Sequence, residues 1–311
     1  MAGVERYSEG DMIGFIDDSW TLALAGEVKY EDAFGLIAFL NTSSEYIPWS
    51  AALSQLGRVK SLIQSKPDDK QRFNQYVVHR LINNNPFSTP PWNGFAGHLD
   101  NLLQAAFVNA LVAYGDTSAR ATAHQLFTDF MKSNQPVPVN IRDGVYRVGI
   151  EEGGLSEWNF LFDRYTTSLD PSESRRILRA LTRSRQPDRL TDLMNWSIDP
   201  TKIKSQDTSR IIIYCAQNEI GKELAWNWIK ANYDVLFKLF GSASFTLSEL
   251  ITRVIGLFQT EKELNEAKQF FENKNLGTAS RAILQAYEIV DTNIYWLKER
   301  YEEFSQALKM V

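Results

Sequence analysis

Apolar residues recur along this chain at the three- and four-residue spacing of a helix face rather than in the alternation of a strand. Met12, Ile13, Phe15, Ile16, Trp20, Ala23 and Leu24 share one broad face, and Gly26 stands where a left-handed C-terminal cap belongs. A first helix is therefore predicted from about Glu9 to Ala25. Ala33, Phe34, Leu36, Ile37 and Leu40 predict a second helix ending at Asn41. Ala52, Leu53, Leu56, Val59, Leu62 and Ile63 predict a third between Pro48 and Pro67, and Val77, Val78, Leu81 and Ile82 a fourth. Residues 83–97 hold Pro86, Pro90, Pro91, Gly94 and Gly97, so this stretch is the expected longest loop and the candidate boundary between sub-regions 9–82 and 98–311. Phe87, Trp92 and Phe95 within it need a packing surface, which argues against a flexible linker.

Helical stretches alternate with short polar turns from Leu99 onward. Asp170-Pro171 reads as an N-cap followed by proline at the first helical position. Thr246 with Glu249, and Thr260 with Glu263, fit the capping box, in which side chain and backbone satisfy each other's hydrogen bonds. Trp158/Leu161/Phe162, Leu190/Leu193/Met194, Ala225/Trp228/Ile229 and Leu264/Ala267/Phe271 form successive apolar triplets whose first members lie 32, 35 and 39 residues apart, the range of helical-hairpin repeats. The expected fold is all-α, a superhelical solenoid of antiparallel helix pairs of the HEAT/armadillo kind. Two segments favour strand by propensity, Arg210–Cys215 with three consecutive isoleucines and Val137–Ile150. The first lies one repeat length from its neighbours and is assigned to a buried helix.

Composition narrows the function. With 311 residues, 44% hydrophobic and 23% charged, the chain can bury a large core. Thirty-three Lys and Arg against 38 Asp and Glu give a net charge of −5, the wrong sign for a broad phosphate-tracking face, so nucleic acid is not an expected partner. Glu5, Glu9 and Asp11 interrupt the opening where a secretory signal needs an apolar block. The most apolar stretch, Leu102–Tyr114, is too short to span a bilayer, so no membrane contact is expected of this segment and the chain is expected to be soluble.

Catalytic signatures are absent. No phosphate-binding glycine loop, nucleophile elbow or C-x-x-C occurs, and His79, His98 and His124 lack the H-E-x-x-H spacing that sets two imidazoles on one helical face for zinc. Cys215, amid Ile211-Ile212-Ile213, is expected to be a small buried hydrophobe. Asp17-Asp18, Asp68-Asp69, Glu151-Glu152 and Glu302-Glu303 are sequence neighbours, about 100° apart on a helix, and are expected to be solvated or capping rather than an acid/base pair. One cluster stands out: Arg175, Arg176, Arg179, Arg183, Arg185 and Arg189. Arg175, Arg179 and Arg183 follow i, i+4, i+8 on the helix begun by Asp170-Pro171. They form either a solvated face or a stripe that binds carboxylate.

Ordered motifs across the chain carry a resemblance. Ile16-Asp17-Asp18, Leu22-Ala23-x-x-Gly26, Tyr30, Ala33 and Glu45-Tyr46-x-Pro48-Trp49-x-Ala51-Ala52 open the series. Arg142-x-x-Val145-Tyr146, Gly153-Gly154 with Trp158, Asp199-Pro200-x-x-Ile203-x-x-Gln206-Asp207 and Asn218-x-x-Gly221-x-x-x-Ala225-Trp226 with Asn232 continue it. Thr260-Glu261-x-Glu263-Leu264, Phe270-Phe271 and Asn293-Ile294-x-Trp296-Leu297 close it. This series resembles the C-terminal helical domain of zinc-dependent aminopeptidases of the aminopeptidase N type, from about residue 8 to the end.

The resemblance implies an all-α superhelical bowl over residues 9–311 that closes over a catalytic domain and encloses a cavity for the peptide's far end. Residues 1–8 are then linker, of the kind an expressed fragment carries. The family's H-E-x-x-H zinc site and its G-A-M-E-N substrate anchor belong to a preceding domain, so this chain alone is not expected to be an enzyme or to hold a cofactor. Zinc would belong to the parent. The partners implied are the catalytic domain of the same parent and a peptide substrate, with a homodimer allowed. Secreted members carry two disulfides in this domain, and the corresponding stretches around Arg147 and Thr182-Arg183 contain no cysteine. Compartment stays open between a membrane-anchored ectodomain and the cytosol. The alternative function is a free-standing helical-repeat scaffold that binds proteins.

Overall fold

The computed structural model describes residues 7–241 and 245–311. The linker assigned to residues 1–8 lies mostly outside them. The chain forms two compact units, residues 1–148 with 296–311, and residues 149–295. Helices α1 (Glu9–Ala25), α2 (Tyr30–Ile37), α3 (Tyr46–Leu62), α4 (Pro67–Gln75), α5 (His98–Tyr114), α6 (Thr117–Ser133) and α7 (Arg142–Glu152) follow in order. They are succeeded by α8 (Leu155–Thr167), α9 (Pro171–Leu181), α10 (Pro187–Ser197), α11 (Thr208–Ala216), α12 (Gly221–Phe240), α13 (Thr246–Ile255), α14 (Glu261–Phe271), α15 (Ser280–Tyr295) and α16 (Tyr301–Met310). No strand occurs among the described residues, so the fold is all-α.

In the first unit, α1 packs on α2 and α3, α3 on α5, and α5 on α6. The final helix α16 returns to pack on α2 and α4. Its centre is aromatic. Tyr30 meets Trp20, Phe34, Trp296 and Phe304 with ring centroids 5.1–6.5 Å apart, mostly edge to face, the arrangement the ring quadrupoles favour. Several polar groups in and around this cluster are paired, while the buried Trp20 indole N–H has no hydrogen-bond partner among the described residues. The Trp296 indole N–H donates to Tyr30 Oη at 2.7 Å, the Tyr30 amide donates to Glu303 Oε1 at 2.8 Å, and Tyr301 Oη donates to Asp69 Oδ2 at 2.8 Å. Asp69 thus departs from the expectation of a solvated or capping carboxylate. It is buried, also paired with Arg72 at 2.7 Å, and ties α4 to the end of the chain.

Gly26 caps α1 as expected, at φ 91°, and a side chain there would also press on Arg300. The loop 83–97 lies within the first unit. It is held by Asn85, whose Nδ2 donates to Ser43 O at 2.7 Å, by buried Trp92, and by Phe87 against Phe95 at 4.5 Å. Trp92 is packed and Phe87 half-buried, whereas Phe95 stays exposed with the Phe87 ring against it. The most apolar stretch lies in α5, and among the described residues no helix is long and apolar enough to cross a membrane.

The second unit is built from neighbours. Helices α8 and α9, α10 and α11, α11 and α12, and α12 and α13 pack together, and α9, α11, α13 and α15 also touch in succession. Asp170 caps α9, accepting from the Ser172 amide at 2.8 Å, and the Thr260–Glu263 capping box opens α14. The box expected at Thr246 and Glu249 does not form: α13 starts at Thr246 itself with Phe245 as N-cap, and Glu249 points instead to Arg253 at 3.6 Å. Neither strand-prone segment forms a strand: Arg210–Cys215 lies in α11, and Val137–Ile150 leads through a 3-10 turn at Val139–Ile141 into α7. Ile211, Ile212 and Ile213 are buried in α11, where packing on three sides outweighs a propensity difference of at most about 1 kcal/mol per residue.

Candidate functional site

Helix α9 buries Ile177, Leu178, Ala180 and Leu181, which turns Arg175 and Arg179, one turn apart, outward. Arg175 Nε donates to Pro171 O at 3.3 Å. Arg179 lies with its guanidinium carbon 5.3 Å from the ring centre of Tyr214 on α11, and its Nη2 is 3.5 Å from Tyr214 Oη. Leu178, Ala180 and Leu181, its neighbours in sequence, face the core and give Arg179 no apolar wall. Tyr214 supplies the wall instead.

Arg183 does not continue the stripe. The helix ends at Leu181, and the Arg183 amide donates to Ala180 O at 2.8 Å in the turn that follows. Asn218 pins that turn from the start of the α11–α12 connection, its Nδ2 donating to Thr182 O at 2.8 Å and Ser184 O at 2.9 Å. Arg183 is half-buried there, near enough to the Cys215 thiol to act on it electrostatically. Of the other arginines, Arg176 pairs with Glu173 at 2.6 Å, and Arg189 pairs with Asp192 at 2.8 Å while lying over the Trp158 ring.

Beside α9 opens a cavity of about 780 Å³. Arg175 stands on one wall, Arg210 of α11 on another, and Lys202 and Lys204 on the loop between α10 and α11. Phe162 and Trp196, with ring centroids 4.7 Å apart, form its aromatic side. Lys202 Nζ rests 4.6 Å from the Trp196 ring centre, a cation–π contact that holds the ammonium at the rim. Asp207 is the only carboxylate among the lining residues. It is buried and lies 3.4 Å from Arg210 Nη1. Tyr165, mostly buried beside it, has its phenol pushed up, first by burial and further by Asp207, against a hydrogen bond from the Lys204 backbone. Lys202, Lys204, Arg210 and Tyr214 escape sequence reasoning because the surface they share with Arg175 and Arg179 exists only once α9 and α11 are side by side.

Among the described residues no three His, Cys, Asp or Glu side chains stand together in a way that could hold a metal ion, so the described residues do not fit a zinc site. Cys215 is fully buried and its thiol is pushed well above the ordinary range by that burial, which removes the thiolate a nucleophile needs.

Several residues that carry the sequence resemblance have framework roles. Asn218 holds the turn after α9, and Gly221 leaves no room for a side chain, since a Cβ there would fall 1.8 Å from Cys215 O. Asn293 repeats the Asn218 device, its Nδ2 donating to Gly256 O and Phe258 O, each at 2.9 Å. Trp296 and Tyr30 bond to each other in the core. A motif series made largely of such residues reports a shared fold.

Comparison with known proteins agrees. The family model described as the ERAP1-like C-terminal domain matches residues 4–292. Aminopeptidase A of Gloydius brevicauda is 30% identical over 310 residues, covering 98% of this chain and 32% of that protein. Aminopeptidase Ey of Gallus gallus is 32% identical over 300 residues, covering 92% and 30%, and glutamyl aminopeptidase of Rattus norvegicus 29% over 304 residues, covering 97% and 32%. The chain spans about a third of the length of the relatives it matches.

Proposed function

The chain belongs to the ERAP1-like C-terminal domain family, and from that premise we propose that it is the non-catalytic C-terminal domain of a zinc metallo-aminopeptidase. In this reading its stacked helix pairs form a bowl that closes over the catalytic domain of the same protein and encloses the peptide. The parent removes N-terminal amino acids, and its zinc is held entirely by the catalytic domain. The observation that carries the reading is coverage: relatives named as aminopeptidases align along nearly the whole chain and over only a third of themselves.

Within that reading, Arg179 is the partner of the peptide's C-terminal carboxylate. Its fork can bind both oxygens, and the Tyr214 ring behind it limits the motion lost on binding. Arg175, one turn away on the same exposed face, supports the same charge, and Arg183, off that face in the turn beyond the helix, is left out of the contact. A charge-assisted contact of about 1.5–3 kcal/mol corresponds to roughly a tenfold to hundredfold change in recognition. Two experiments test this. Sequencing the full transcript should show an H-E-x-x-H motif upstream, and its absence would remove the catalytic parent. In the active parent, Arg179→Ala should raise KM for free peptides and leave a single aminoacyl nitroanilide, too short to reach, nearly unchanged. Equal effects on both substrates would assign Arg179 a structural role.

A further inference from the structure

We propose that the cavity between α9, the α10–α11 loop and α11 is a binding site for an acidic peptide segment, one that presents several glutamate or aspartate side chains. Four cations, Arg175, Lys202, Lys204 and Arg210, line it against a single carboxylate, Asp207, in a chain whose net charge is −5. Three of them are exposed and have no carboxylate in ion-pair range among the described residues: Arg175, Lys202 and Lys204. The one other acid of the loop, Asp199, is engaged by the Thr201 amide at 3.0 Å and hydroxyl at 2.7 Å, although it also acts on Lys202 through space. Cations gathered without partners repel one another, and an anionic ligand relieves that repulsion.

Size and wall chemistry select the ligand class. A compact inorganic anion would occupy a small part of about 780 Å³ and meet only some of the charges, which are distributed over two helices and a loop. The Phe162 and Trp196 rings offer apolar surface between the cations. Glutamate side chains carry a carboxylate on an apolar stem, so a short acidic stretch can satisfy both kinds of wall. Arg175 and Arg210 supply forks for carboxylate oxygens, and Lys202 and Lys204 supply mobile point charges. The inference stands apart from the reading of Arg179 as the reader of a terminal carboxylate, because it concerns side-chain carboxylates.

Fluorescence anisotropy on the whole chain tests it, with a fluorescein-labelled, C-terminally amidated peptide of four glutamates between glycines as the probe. Amidation removes the terminal carboxylate, so failure here leaves the Arg179 reading untouched. Saturable binding is expected, at least tenfold tighter than for the same peptide with glutamines. The double variant Lys202→Ser with Lys204→Ser should weaken it at least tenfold, and Arg175→Gln should weaken it by a smaller factor, with circular dichroism and melting unchanged. Lys132→Ser in the other unit should have no effect. Undiminished binding by the double variant, equal binding of the glutamine peptide, or no saturable binding at all would overturn the proposal. Stronger competition by a sulfated tetrasaccharide than by unlabelled glutamate peptide would also overturn it, in favour of a glycan site.

Discussion

The two units are stabilised in different ways. The first is closed by its chain ends: α16 brings Phe304 and, just before it, Trp296 onto Tyr30 and Phe34, contacts across some 270 residues of sequence. The second is made of helices that touch their near neighbours, with side-chain caps opening α9 and α14 and with Asn218 and Asn293 each pinning a turn. Long-range closure concentrates stability in a few side chains, whereas near-neighbour stacking spreads it over many. A substitution should therefore be felt far more in the first unit's aromatic centre than at any one place in the second.

The largest expected effect tests that concentration. Phe304→Ala, at a fully buried position touching Tyr30, Phe34, Phe73 and Trp296, should destabilise by about 3–5 kcal/mol in urea unfolding. A loss below 1 kcal/mol would mean that the C-terminal helix does not close the first unit.

Next comes Asp69. Burial opposes its charge, but hydrogen bonds from Ser305 and Tyr301, with Arg72 nearby, prevail and hold its carboxyl below the ordinary 3.8. A carboxylate depressed in the folded state adds stability above the unfolded value and loses it as pH falls through the folded one. Asp69→Asn should thus cost about 1–3 kcal/mol at neutral pH, and the difference from the parent chain should shrink as pH drops below 3.8. A difference independent of pH down to acid unfolding would show that the charge does not matter.

A cap in the second unit should matter less. Asp170→Ala should remove about 1 kcal/mol and raise hydrogen exchange in the first turn of α9, leaving the first unit's exchange unchanged. Protection lost across both units would contradict the near-neighbour description. Smallest of all, Arg175→Ala on the exposed face should change stability by no more than about 0.5 kcal/mol, as read from thermal melts. A larger loss would make the arginine face part of the framework.

Elements whose start or stop chemistry lies within a few residues were legible. Helix α1 with its Gly26 cap, the Asp170-Pro171 start of α9 and the Thr260–Glu263 box appear as expected, since a local hydrogen bond needs only local sequence. The Thr246 box does not form because the helix begins at Thr246 itself, which leaves Phe245 at the N-cap. Of the candidate site, Arg175 and Arg179 were placed on one face correctly. Arg183 was not, because the residue that ends the helix geometry there, Asn218, comes 36 residues after Thr182.

The sequence by itself determined the all-α class, most helix positions and family membership, because apolar periodicity, caps and framework motifs are written in short windows. Only the tertiary structure decided that Asp69 is buried against Tyr301, and that Lys202, Lys204 and Arg210 share a cavity with Arg175. The reason is distance along the chain. A helix face is set by residues three and four apart, but which faces meet, and which charges are thereby gathered without partners, depends on packing among elements that local sequence does not relate.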